Sequence, residues 1–93
     1  MRSIRDILTL QAIEVGALGT SFTLRRPSAL DLIEAMEVSA KRPETLQAWF
    51  VWRHLIENGL PVYATLEDVL KCDAIAVMAI AKHCEALYSE GRD

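Results

Sequence analysis

Few side chains in this chain are of types that do chemistry. There are two histidines and two cysteines, His54, His83, Cys72 and Cys84. A zinc site read from sequence needs closely spaced ligand pairs, such as C-x-x-C or H-x-x-x-H, so that two ligands project from one turn. No such pair occurs here. His83 and Cys84 are neighbours on a helical stretch, which sets their side chains about 100° apart and on different faces. Cys72 and His54 could meet in space as a thiol and its base, but no spacing rule brings them together. The carboxylate pairs Glu34 with Glu37 and Glu67 with Asp68 fall on outward helix faces, where charge serves solubility. Gly16-Ala-Leu-Gly19 is not followed by a helix whose N-terminus could hold phosphate, so it reads as a turn. The expectation is no catalytic residue, no metal ligand and no cofactor.

Basic residues are equally scarce. Ten Lys plus Arg stand against thirteen Asp plus Glu, a formal charge of −3. That balance has the wrong sign for neutralising many phosphates, and Arg25, Arg26 and Arg53 make at most a small local patch. The last helical stretch is apolar where a recognition helix would need base-reading side chains.

Apolar surface is what remains. Leu46, Trp49, Phe50, Val51, Trp52, Leu55 and Ile56 cover more than one face of a single helix, because consecutive positions lie about 100° apart. Trp is over-represented at interface hot spots, since a large stiff ring buries much area at little entropic cost. Leu60-Pro61-Val62-Tyr63 adds apolar groups beside it. Trp49, Trp52, Leu60 and Tyr63 are therefore candidate partner-binding residues. The structural alternative, with Trp49 in the core and Trp52 half-exposed against a hairpin, stays open at this point.

A length of 93 residues and a mass of 10.4 kDa allow one domain, with roughly 64% of its surface open to burial. At 52% hydrophobic and 25% charged the composition is globular. Two cysteines are too few for a disulfide framework and suit a reducing compartment. The N-terminus has no h-region of a signal peptide. The longest apolar run, Ala74 to Ala81, is short of the roughly 18–20 residues that cross a bilayer.

The spacing predicts a short leading helix over Ser3 to Leu10, then a hairpin across Gly16–Gly19 in which Phe22 and Leu24 alternate with Thr23 and Arg25. Ser28 with Asp31 forms a capping pattern, and Leu32, Ile33, Met36 and Ala40 form an apolar stripe opposite Glu34, Glu37 and Lys41. A second helix is expected from Pro43 to Glu57, with Asn58-Gly59 as its C-terminal stop. Thr65 with Asp68 opens a capped turn. Asp73 caps a last helix to about Tyr88, whose first turns are apolar nearly all round. The predicted fold is mainly α: three to four helices packed around a central apolar C-terminal helix, with a short N-terminal β-hairpin. Residues 1–93 form one helical domain, with a frayed tail from about 89 to 93.

The order of these features resembles the tail assembly chaperones of long-tailed bacteriophages. In that family a β-segment ends in a "tL-x-x-p-s/t-a-x-D" stretch that opens the first helix. Here Ser21-Phe22-Thr23-Leu24-Arg25-Arg26-Pro27-Ser28 leads into Ala29-Leu30-Asp31-Leu32-Ile33-Glu34. An aromatic helix follows over Trp49 to Ile56, and Leu66 to Leu70 precedes an apolar helix. The resemblance covers most of Ser21 to Leu87. It implies a non-enzymatic role in the host bacterial cytoplasm, coating the tape measure protein and recruiting tail tube subunits. Family members are often followed by a frameshifted extension that carries the tube-binding part. This sequence stops at Asp93, so tape measure binding is the role implied first. The resemblance supplies no binding residues, so Trp49, Trp52, Leu60 and Tyr63 rest on their own chemistry. Self-association is expected, because a helix apolar all round in so small a domain completes its burial against a second copy. The alternative function is a small helical nucleic-acid-binding regulator, motivated by helical content and the three arginines.

Overall fold

The computed structural model of the protein describes residues 12–17 and 20–89. The leading helix expected over Ser3 to Leu10 and the tail from Glu90 onward lie outside these residues. Strand β1 (Ala12–Ala17) pairs antiparallel with β2 (Thr20–Arg25), from Ala12 opposite Arg25 to Ala17 opposite Thr20. The hairpin thus falls where alternation and the glycine pair place it. Pairing continues from β2 to β3 (Leu55–Glu57) and from β3 to β4 (Leu60–Pro61), giving a four-stranded antiparallel sheet in the order β1-β2-β3-β4.

Four α-helices complete the described residues, α1 (Ala29–Lys41), α2 (Leu46–His54), α3 (Leu66–Leu70) and α4 (Ala74–Ser89). The mainly helical fold with a short N-terminal hairpin is the one expected. No helix among the described residues is long and apolar enough to cross a membrane.

The caps follow the sequence. Ser28 and Asp31 form a reciprocal capping box at the start of α1, with Asp31 N–H donating to Ser28 Oγ at 3.2 Å and Ser28 N–H to Asp31 Oδ2 at 2.8 Å. Thr65 Oγ1 accepts from Asp68 N–H at 3.2 Å, and Asp73 Oδ1 accepts from Ile75 and Ala76 N–H at 2.8 and 3.2 Å. Each satisfies helix-end donors that have no partner within the helix.

Two features differ from expectation. The aromatic helix ends at His54 rather than Glu57, and Leu55 turns to extended backbone at φ −72°, ψ 119°. Residues 55–57 then form a ladder with β2, with Leu24 opposite Leu55 and Thr23 opposite Ile56. Asn58 and Gly59 both have positive φ, 55° and 79°. That is the geometry of a two-residue hairpin turn, which joins β3 to β4 instead of stopping a helix.

The second difference is the direction in which α1 faces. Asp31 and Ala35 are its buried residues, with Glu34 and Val38 half-buried beside them. The stripe of Leu32, Ile33, Met36 and Ala40 points to solvent, at 43%, 55% and 65% exposure for the three large residues.

Burial is deepest in α2, where Ala48, Trp49, Phe50, Val51 and His54 are all buried and so cover most of its circumference. Helix α4 lies along it and buries Ala81 and Cys84, one turn apart, with Val77, Ile80, Leu87 and Tyr88 packed against the core. Ile75 and Met78 on the same helix remain exposed. Leu24 and Val69 bring β2 and α3 into that core.

Candidate protein-binding site

The capping residue of α1 has a second task. Asp31, fully buried, receives Arg25 Nη1 from the end of β2 at 3.0 Å and Arg53 Nε from the last turn of α2 at 2.7 Å. Arg25 Nη2 donates in turn to the Arg53 carbonyl at 3.1 Å, and Arg53 Nη2 lies 3.3 Å from Glu34 Oε2. Burial alone would raise the Asp31 pKa. The hydrogen bonds from Arg25, Ser28 N–H and Arg53 outweigh it and hold the carboxyl far below the usual carboxylate range. The same bond to Asp31, opposed by partial burial, raises Arg53. Both arginines are thus engaged by carboxylates, and no basic patch forms from Arg25 and Arg53.

His54 sits directly behind this cluster with no exposed surface. Its Nδ1 lies 2.9 Å from the Arg25 carbonyl, and its Nε2 bonds to the Tyr88 hydroxyl. A carbonyl can only accept, so Nδ1 carries the proton and Nε2 accepts from Tyr88. Burial lowers the His54 pKa to about 4, against a smaller upward pull from the Arg25 carbonyl. Burial likewise raises the Tyr88 phenol, with the Asp31 charge adding to it.

His54 therefore has no partnership with a thiol. Cys84 is buried with its Sγ directed at the Phe50 carbonyl, and burial pushes its pKa up to about 12. Cys72 Sγ is directed at the Asp68 carbonyl, 3.4 Å away. It lines a separate apolar hollow of about 180 Å³ with Ala48, Val69 and Val77.

In front of the ion cluster lies a pocket of about 360 Å³, lined by Arg25, Ser28, Asp31, Trp52, Arg53, Pro61 and Ala64. Its polar wall is formed by the two guanidinium groups, about a quarter exposed, and its apolar wall by Trp52, Pro61 and Ala64. Trp52 is half-buried, and its Nε1–H donates to the Ala64 carbonyl at 3.3 Å. Arg53 lies 5.9 Å from the centre of the Trp52 ring. Leu60, 68% exposed, and Val62, 39% exposed, flank Pro61 in the chain. Tyr63 is half-buried; its phenol is raised by a hydrogen bond with Cys72 and by partial burial.

Of the four residues singled out by type, Trp52, Leu60 and Tyr63 keep surface. Trp49 does not: it is 4% exposed, edge-on to Phe50 and His54 at 5.6 and 6.0 Å, and it belongs to the core. Its neighbours on α2 supply the aromatic packing that an interface residue would leave unmade. Asp31 and its arginines were not legible as a cluster, since positions 25, 31 and 53 share no local spacing.

The one hydroxyl lining the pocket, Ser28 Oγ, accepts from Asp31 N–H, and the nearby His54 imidazole is fully buried. With Arg25 and Arg53 held by Asp31 and Glu34, what the pocket offers is its apolar wall, against which an apolar side chain fits on Trp52. No protein-family model, characterised protein or solved structure matches the chain.

Proposed function

We propose that this protein is a non-enzymatic chaperone of phage tail assembly. It coats the tape measure protein in the cytoplasm of the infected bacterium, and tail tube subunits are a further partner in the same assembly. The observation that carries the reading is the exposure of Leu60 and Val62 on either side of Pro61, which itself lines the Trp52 pocket. Exposed apolar groups of this kind favour capture of an apolar segment of another protein. The segment that fits best is extended or helical and apolar.

Leu60→Asp tests this with little risk to the fold, because Leu60 is largely exposed. The measurement is capture of a phage tape measure protein, by calorimetry or co-purification. The expected outcome is at least a tenfold loss of affinity, about 1.4 kcal/mol, with an unchanged melting temperature. Full affinity in the variant, or no capture by the unaltered protein, overturns the reading.

A further inference from the structure

An amphipathic surface helix ordinarily lays its apolar stripe on the core. Helix α1 does the reverse. Its Asp31 carboxylate faces Arg25 and Arg53, so Asp31, Ala35 and Val38 turn inward, and Ala29, Ile33, Met36 and Ala40 lie on the opposite, open side. Eleven residues precede β1 in the sequence, and β1 fixes where they join the body. Ala12 is paired opposite Arg25, whose guanidinium binds Asp31 in the first turn of α1. The chain from Ala12 back to Leu8 spans up to about 14 Å, enough to bring Leu8 alongside that turn. The exposed Ile75 and Met78 of α4 are more remote: the Tyr88 end of that helix is tied through His54 to Arg25, and Ile75 stands about 20 Å further along it.

The residues of that segment complement the stripe. Ile4, Ile7 and Leu8 recur at helical spacing, so they share one side of a short helix, with Arg5 on its edge and Asp6 turned away. Because the segment joins the body at the start of α1, it runs antiparallel to α1. Leu8 beside the first turn then sets Ile7 against Ile33 and Ile4 against Met36. In an antiparallel pair the same edges of the two helices adjoin, which brings Arg5 next to the exposed Glu37. Apolar groups meet apolar groups, and the charge on the edge meets its opposite.

We propose that the chain's own N-terminal segment covers the open side of α1, docking as an antiparallel helical turn with Ile7 on Ile33, Ile4 on Met36 and Arg5 beside Glu37. The tether selects this occupant. A segment held by a few residues of chain is present at roughly millimolar effective concentration, so a contact of one or two turns suffices within one molecule. The same contact falls short of the roughly 1,200 Å² or more that holds two free molecules together.

Paired cysteines in the full chain test the contact, in a Cys72→Ser background that leaves only the buried Cys84. At low micromolar protein and mild oxidation, Ile7→Cys with Ile33→Cys is expected to close a disulfide within one chain, read by mass after proteolysis. It forms at least tenfold faster than the disulfide of Ile7→Cys with Val62→Cys or with Met78→Cys, since only facing positions come within bonding distance. Urea denaturation gives a second readout. Ile7→Asp and Ile33→Asp each lower the midpoint, and the double variant falls no lower than the worse single one, because both remove the same contact. Comparable or faster closure to Val62 or Met78, no disulfide with Ile33, or one formed only between chains overturns the proposal. So does an unchanged midpoint in Ile33→Asp, or losses that add in the double variant.

Discussion

Asp31 is the residue on which the local structure turns. It caps α1, binds two arginines from other elements, and does so with no exposed surface. Buried ion clusters add little net stability over apolar packing, because desolvation offsets most of the attraction, but they penalise any arrangement that leaves a charge unpaired. The cluster therefore acts mainly on specificity, fixing which side of α1 meets the body. Behind it, His54 gives the protein a defined response to acid. Its folded pKa of about 4 lies below the unfolded 6.5, so the unfolded chain takes up a proton that the fold excludes. Stability contributed by neutral His54 is complete above pH 6.5 and is lost as the pH falls towards 4, about 3 kcal/mol in all. Asp31, whose pKa is also depressed, adds to the loss as the pH falls through the ordinary carboxylate range and below it. Urea denaturation at half-unit pH steps is expected to show this slope, and a His54→Gln variant to be flat between pH 6.5 and 5. An unchanged slope in the variant would place the titrating group elsewhere.

At the scale of elements, the caps and the first hairpin were legible because their signals are local. Ser28, Thr65 and Asp73 each bind donors within three residues, and alternation at Phe22 to Arg25 needs no tertiary help. Asn58-Gly59 is legible as a break but not as a kind of break, since the same dipeptide ends a helix or turns a hairpin. Which one forms was decided by β2, whose edge accepts Leu55 and Ile56. The orientation of α1 was illegible for a similar reason: its apolar stripe is clear, but the pull of two arginines 6 and 22 residues away from Asp31 is not. For the turn itself, Gly59 has φ +79° and open space around the position of a Cβ. Gly59→Ala is thus expected to cost only the backbone term, about 1 kcal/mol in chemical denaturation, with the sheet retained. A loss several times larger would mean that the turn carries packing as well.

For the whole molecule, the 52% apolar fraction exceeds what one core takes up. Among the described residues, large apolar side chains stay exposed on the open side of α1 (Leu30, Leu32, Ile33 and Met36), at Leu60 and Val62, and at Ile75 and Met78 on α4. Composition shows that such a surplus exists; only the fold shows where it lies, because α2 with its two tryptophans takes the burial that sequence alone shares between α2 and an interface.

Helix α2 runs into β3 without a connecting residue, and His54, at the junction, bonds to partners 29 and 34 residues away in the chain. The consequence concerns the way the molecule opens. A helix and a sheet that share one continuous backbone, tied by one ring to β2 and α4, cannot loosen separately. The helical and sheet layers are expected to form a single cooperative unit in native-state hydrogen exchange, with the amides of Phe50, Val51 and Leu24 all exchanging at the free energy of global unfolding. A lower value for the Leu24 amide than for the α2 amides would show the two layers parting first.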